Sequence, residues 1–217
     1  MKDRELTAYC LNTLLKTGAD KAQCSINRTS KYEMCVETGE LSLIRTTFDS
    51  KLSMSVIKDG KKGSIGLNKL EAPSIDQTSR EVYDLACGSE PDTANEIAAY
   101  QEPGDFSSGS SEPDRENMYS KLITFITTVH KQHPKIILRN VYLDFTHHTG
   151  YYANTNNVDF KTSKGIYNLG FVISSKEGDK TSSFNYSGFS AKKLERELIE
   201  YGSIKTLLTQ SEQQIHT

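Results

Sequence analysis

The feature that most constrains this fold is an order of hydrophobic periods that runs through the chain twice. Each time a helical stripe is followed by alternating strands and then by a second helical stripe. In the first half Leu6, Tyr9, Cys10, Leu11, Thr13 and Leu14 recur at helical spacing between about Arg4 and Thr17, and Gly18 is placed to end that helix. Apolar and polar residues then alternate over Ala22–Glu37, Leu41–Phe48, Leu52–Lys58 and Lys62–Leu67. Arg28-Thr29-Ser30-Lys31 reads as a bulge or irregularity in the first of these runs. Thr38-Gly39-Glu40 and Asp49-Ser50-Lys51 read as turns, and Asp59-Gly60 as a type I′ hairpin. Pro73-Ser74 opens a second helix with a Ser74–Gln77 capping box, and Ile75, Val82, Leu85 and Ala86 face inward as far as Gly88.

Residues 89–112 are rich in Pro, Gly, Ser and acids and read as an exposed linker. A helix bearing Met118, Leu122, Phe125, Ile126 and Val129 follows Pro113 and stops near His133-Pro134, because the residue before proline resists the α conformation. Strands are expected over Ile136–His147, Gly150–Asn154, Val158–Lys164, Tyr167–Ser175 and Ser182–Ser187, with a Gly178-Asp179 turn between the last two. A final helix is expected from about Ser190 to Thr209, with Leu194, Leu198, Ile199 and Leu207 inward. Segregated strands and helices, without strand–helix–strand alternation, give an α+β fold. It divides into two similar units of antiparallel sheet flanked by helices, residues 1–88 and 113–217, joined by 89–112.

Composition narrows the function classes. Residues 71–118 carry only Arg80 and Arg115 against 12 acidic side chains, whereas the flanking segments are mildly basic and the whole chain is -2. No basic stripe is available to a phosphate backbone, so nucleic acid is an improbable partner. No apolar h-region opens the chain and no stretch approaches the length of a membrane span. A reduced, cytoplasmic, soluble protein without a membrane partner is expected. Cys10, Cys24, Cys35 and Cys87 form no C-x-x-C pair, and Cys10, Cys24 and Cys87 fall among apolar or alternating positions where cysteine is a small buried hydrophobe.

A search for chemistry returns little. His147-His148 point to opposite faces of a strand, Asp144 lies three residues before His147 and points away from it, and one buried and one exposed ring are expected at a strand end. His130 and His133 have a metal-compatible i,i+3 spacing but sit at a frayed helix end beside Pro134. H-E-x-x-H, G-x-S-x-G, P-loop and dinucleotide-binding patterns do not occur. Gly63-x-x-Gly66 is too sparse to cradle phosphate, Ser107–Ser111 has linker composition, and Cys35 has no histidine near it in sequence. No catalytic, cofactor-binding or metal-binding residue is therefore assigned. Sheet edges are the remaining resource: Leu41–Phe48 and Tyr167–Ser175 are long enough to accept an extended peptide by strand addition, unless charge or a neighbouring element covers them.

Several pieces of the sequence resemble one family. Gly18-Ala19-Asp20 after the first helix, Glu37-x-Gly39-Glu40-Leu41, Lys58-Asp59-Gly60-Lys61-Lys62-Gly63 and the strand Tyr151-Tyr152-Ala153-Asn154-Thr155-Asn156 are similar to the TldD/PmbA family, the "modulator of DNA gyrase" proteins. The likeness covers most of residues 6–200 and is strongest in the first 70. It implies an N-terminal domain of a protein about twice as long, with a β-rich C-terminal domain beyond the last residues, SEQQIHT, so that the chain reads as a piece of that protein or an isolated N-terminal domain. In this family a TldD-type subunit carries a zinc-binding H-E-x-x-x-H helix after the segment present here. A PmbA (TldE) type lacks the zinc ligands and pairs with TldD in a heterodimeric peptidase. GADKAQCSI and KKGSIGLNKL look more PmbA-like. The resemblance thus implies a non-catalytic domain that handles extended peptides and meets a TldD-like subunit or itself. No zinc or other cofactor is expected in this chain, and zinc belongs to the partner subunit. The alternatives are a stand-alone peptide- or protein-binding adaptor and a gyrase regulator that touches nucleic acid.

Overall fold

The computed structural model describes residues 2–216. Its elements in chain order are α1 (Asp3–Lys16), β1 (Lys21–Glu37), β2 (Glu40–Lys58), β3 (Lys61–Leu67), α2 (Ala72–Gly88), β4 (Gly104–Ser108), α3 (Arg115–Gln132), β5 (Ile136–Asn154), β6 (Asp159–Glu177), β7 (Lys180–Thr181), β8 (Asn185–Ala191) and α4 (Ile204–Gln213), with 3-10 turns at Leu198–Glu200 and Gln214–His216. The strands form an eight-stranded sheet in the order β3-β2-β1-β5-β6-β4, and β7 and β8 also pair with β6. The fold is α+β, an antiparallel sheet flanked by helices.

Compact units do not follow the two halves of the sequence. Met1–Thr29, Phe48–Ser107 and His148–Ser163 make one unit, and Ser30–Thr47, Ser108–His147 and Lys164–Thr217 make the other. The expected boundaries at 88 and 113 fail because β1, β2, β5 and β6 are 17–19 residues long and each passes from one unit to the other. Nor is 89–112 a bare linker. Asp92 N donates to Gly60 O at 3.0 Å, Ile97 is buried, and Gly104–Ser108 is a strand.

Three predicted strand breaks are absent: Asp49-Ser50-Lys51 lies inside β2, His148-Thr149 inside β5, and Gly165-Ile166 inside β6. At these points the burial pattern changes while backbone pairing continues, which a sequence shows only as lost alternation. The hairpin at Asp59-Gly60 has the form predicted, with φ of 51° and 73° in the left-handed region that type I′ turns require.

In the first unit Leu6, Cys10, Leu14, Ala22, Cys24, Ile26, Leu52, Met54, Val56, Ile75, Val82 and Ala86 form the core. Gly63 of β3 matters here: a Cβ at that position would collide with the carbonyl oxygen of Val82 and lie 2.7 Å from Ala86 N, so the strand rests directly on the α2 backbone. The inward face of α2 holds Ile75, Val82 and Ala86, but Leu85 points out, and Cys87, expected in the core, is exposed. Ser74 does not cap α2. Glu71 occupies that position, Pro73 lies in the first turn, and Gln77 Nε2 donates to Glu81 instead. In the second unit the core is aromatic as well as aliphatic, with Phe125, Phe145, Tyr167 and Phe171 among Leu122, Val129, Leu143 and Leu169. Asp114 caps α3 by accepting from Asn117 N at 3.0 Å. The long final helix is not present. β8 continues to Ala191, where Phe189 stacks on Tyr201 at 4.0 Å between centroids, and only Ile204–Gln213 is α-helical.

Candidate functional site

In the second unit, alternation along the strands places one set of side chains in the core and the other on the opposite sheet face. Met34 and Val36 of β1, Leu143 and Phe145 of β5, and Leu169 and Phe171 of β6 enter the core. The residues between them build a polar ladder. Arg45 Nε of β2 donates to Glu33 Oε2 at 2.7 Å, and Lys31 Nζ lies 2.7 Å from Glu33 Oε1 and 3.4 Å from Asp144 Oδ1. Asp144 Oδ2 accepts from Asn168 Nδ2 at 2.7 Å and from Thr146 Oγ1 at 3.0 Å, and Ser190 Oγ donates to Asn168 Oδ1 at 2.7 Å. Side chains from β2, β1, β5, β6 and β8 are thereby tied into one polar chain, in which every link but the neutral Ser190–Asn168 bond involves a charged side chain.

Glu33 and Asp144 are buried, at 5% and 9% exposure, and cations face both of them. Burial pushes the Glu33 carboxyl up, but Lys31 and Arg45 outweigh it and hold it below the usual carboxylate range. Lys31 is held above its ordinary value because Glu33 and Asp144 overcome the cost of its own burial. The Cys35 thiol beside them is pushed up, by burial first and by Glu33 second. The ladder's cations keep Glu33 ionised, and burial with Glu33 keeps the Cys35 thiol protonated.

The candidates read from sequence do not assemble around it. Asp144 belongs to the ladder. The histidine pair lies within β5, not at a strand end, and His148 Nδ1 is 2.9 Å from Thr29 Oγ1. His133 Nδ1 lies 3.0 Å from Glu212 Oε2, whereas the His130 ring lies against the hairpin glycine Gly39, so the i,i+3 pair is divided between two neighbours. Among the described residues no three His, Cys, Asp or Glu side chains lie close enough to share a metal ion. Ser107 and Ser108 end β4, and Ser110 Oγ donates to Glu112 O at 2.8 Å. Gly63 serves packing, as described above. Lys31, Glu33, Arg45 and Asn168 were not singled out by sequence reasoning. The signal was there in Lys31-x-Glu33 and in the polar residues alternating with core positions at 144, 168 and 190, but partners such as Lys31 and Asp144 lie far apart in the chain.

Of the two proposed edges, Tyr167–Ser175 is covered, since Tyr167 pairs with Ala191 and Ile173 with Asn185 in β8. β2 differs. Its neighbours are β1 and β3, and β3 pairs with Leu52–Lys58, so among the described residues no strand lies on that side of Glu40–Thr47. Leu43 and Ile44 in this stretch are exposed. In the first unit the polar strand end that carried part of the family likeness has an anchoring role. Asn154 Nδ2 donates to Ala98 O at 2.8 Å and Asn154 Oδ1 accepts from Asn156 N at 2.9 Å, fixing the segment around Ala98. No helix among the described residues is long and apolar enough to cross a membrane.

The fold defines the class, an α+β protein with an antiparallel sheet flanked by helices. Solved structures share its fold. TldE from Thermococcus kodakarensis matches with a TM-score of 0.74 and 14% identity, over 97% of this chain and 47% of its own. A candidate modulator of DNA gyrase from Bacteroides thetaiotaomicron matches at 0.72 and 17%, over 97% and 50%, and another from Thermotoga maritima at 0.64 and 13%, over 98% and 47%. The chain spans about half the length of each of these proteins. The fold is therefore the one that the sequence resemblance implied. No protein-family model matches the sequence. No curated protein matches it either.

Proposed function

We propose that this chain is the N-terminal, non-catalytic domain of a PmbA/TldE-type subunit in a cytoplasmic TldD/PmbA-type peptidase assembly. In this reading it contributes to handling extended peptides and to the interface with a TldD-like subunit, which carries the zinc and the cleavage chemistry. The observation that carries it is the match of 97% of the chain to about half of TldE. Two features support it: the ladder engages both of its carboxylates, and the Glu40–Thr47 edge is open to an extended segment. The test is to mix the purified chain with a TldD-like subunit encoded in the same genome and follow size-exclusion elution, zinc content and hydrolysis of unfolded peptide. A complex is expected, with zinc and cleavage only when the TldD-like subunit is present. Stoichiometric zinc together with peptidase activity in this chain alone would sink the proposal.

A second reading, a stand-alone adaptor that binds extended segments, is favoured by the same open edge of β2. The genomic reading frame separates the two. Continuation for about as many residues again, as in the matched structures, supports the peptidase subunit, and a stop codon after Thr217 supports the adaptor.

A further inference from the structure

Between α1 and α2 of the first unit lies an open cleft of about 550 Å³, within the ~300–1,000 Å³ usual for small-ligand sites. Its walls are two helical stripes. Tyr9, Thr13 and Lys16 recur at i, i+4 and i+7 along α1, and Asp76, Arg80 and Asp84 at i, i+4 and i+8 along α2. Tyr9, like Tyr83 beside it, packs partly against the core formed by Cys10, Leu14, Ile75, Val82 and Ala86, but core packing does not account for the polar residues Lys16, Asp76, Arg80 and Asp84. One end of the cleft is closed by Tyr9 Oη, which donates to Asp76 Oδ1 at 2.6 Å. Near the other, Tyr83 Oη stands 3.4 Å from where a Cβ on Gly18 would lie.

The chemistry of the walls selects a ligand class. Two cations, two carboxylates and two phenol rings face one space, and among the described residues Lys16, Arg80 and Asp84 make no ion pair with one another or with any other side chain. A polyphosphate would meet repulsion from Asp76 and Asp84, and a lipid tail would find few apolar walls. A short solute with one charge of each sign fits both. Tyr9 to Lys16 spans about 10 Å along a helix, close to the length of about three extended residues. We infer that this cleft binds tripeptides by their free termini, the carboxylate on Arg80 and Lys16 and the ammonium on the Asp76 oxygen that Tyr9 leaves open. Tyr9 and Tyr83 flank the peptide between its ends. The inference uses only the residues of this cleft and stands whether or not the chain serves a peptidase assembly.

The test is an NMR titration of the isotopically labelled 217-residue chain with trialanine bearing free termini. Saturable shifts confined to α1 and α2 are expected, with a Kd on the order of 1 mM, since exposed ion pairs add little each. Trialanine acetylated and amidated at its ends should bind at least about tenfold more weakly, and so should the free peptide to Arg80→Gln, a solvent-facing change whose folded state the same spectra report. Equal binding of the blocked peptide, unchanged binding by Arg80→Gln, shifts located elsewhere, or no saturable shift at about ten times the expected Kd would each overturn it.

Discussion

The two compact units hold their charges differently. In the first, the ion pairs lie at the surface: Arg28 grips Asp3 through two nitrogens at 2.7 and 2.8 Å, and Arg4 reaches Asp105 and Asp159, with the arginines close to half exposed. In the second, Glu33 and Asp144 are buried in a ladder that crosses five strands. The cores differ in the same sense. The first packs aliphatic residues, cysteines and a strand laid directly on a helix, and the second packs Phe125, Phe145, Tyr167 and Phe171 in ring contact. The two units are therefore stabilised by different physics. The largest expected effect tests that contrast at its centre. Phe125→Ala, which empties a fully buried position of the aromatic core, should cost about 3–5 kcal/mol in urea unfolding. A loss below about 1 kcal/mol would mean that the site collapses around the change and that this core is no more specified than the first.

The ladder gives the next largest effect and a pH signature. Glu33→Ala strands Lys31 beside Asp144 and should cost about 2–3 kcal/mol, below the ~3–5 of a fully enclosed pair because Arg45 reaches solvent. Since the folded-state pKa of Glu33 is depressed, its contribution is complete above the unfolded value near ~4.3 and disappears as pH falls through the folded one. Lys31 has the opposite sign: its raised folded pKa gives stability that is complete below ~10.4 and is lost as pH rises through the folded value. Stability measured against pH should thus show an acid limb that flattens in Glu33→Gln. An unchanged limb in that variant would assign the acid sensitivity to other carboxylates.

How far the sequence carries is clear from particular elements. Helices α1, α2 and α3 were legible because Leu6-Cys10-Leu14, Ile75-Val82-Ala86 and Leu122-Phe125-Val129 keep one period against one core. The long strands were legible as strands but not as continuous ones. β2 is exposed on both faces through most of Glu40–Ser50 and alternates only from Leu52, so its polar middle imitates a turn. Leu85 and Cys87 flank the buried Ala86 and were assigned inward by neighbourhood, although the helix turns both outward. The ladder was not legible as a site, because its hydrogen bonds join residues from four separate stretches of chain and only strand order brings them together.

The first unit has its own sensitive point, in backbone instead of charge. Gly63→Ala leaves every ion pair intact yet places a Cβ against Val82 O and Ala86 N of α2, so strand and helix must separate. The expected cost is about 1–3 kcal/mol, the range for overpacking. Amide exchange should locate it in β3 and α2, leaving α3 and β8 as protected as before. Uniform loss of protection would show that the two units unfold as one, which would limit the contrast to composition.

The smallest effect is expected where the contacts look best. Arg28→Gln removes a two-point guanidinium–carboxylate pair with distances of 2.7 and 2.8 Å, comparable to the contacts in the ladder. Geometry alone would rank it with Glu33. Solvent decides otherwise: the Arg28 side chain is 44% exposed, so water screens the attraction and replaces the lost hydrogen bonds, and holding a long side chain in place has an entropic cost. The expected loss is within ~1 kcal/mol and should shrink further in 1 M salt, where the screening length is about 3 Å. A salt-independent loss above ~2 kcal/mol would show that exposure is the wrong measure and that Arg28 belongs with the buried ladder.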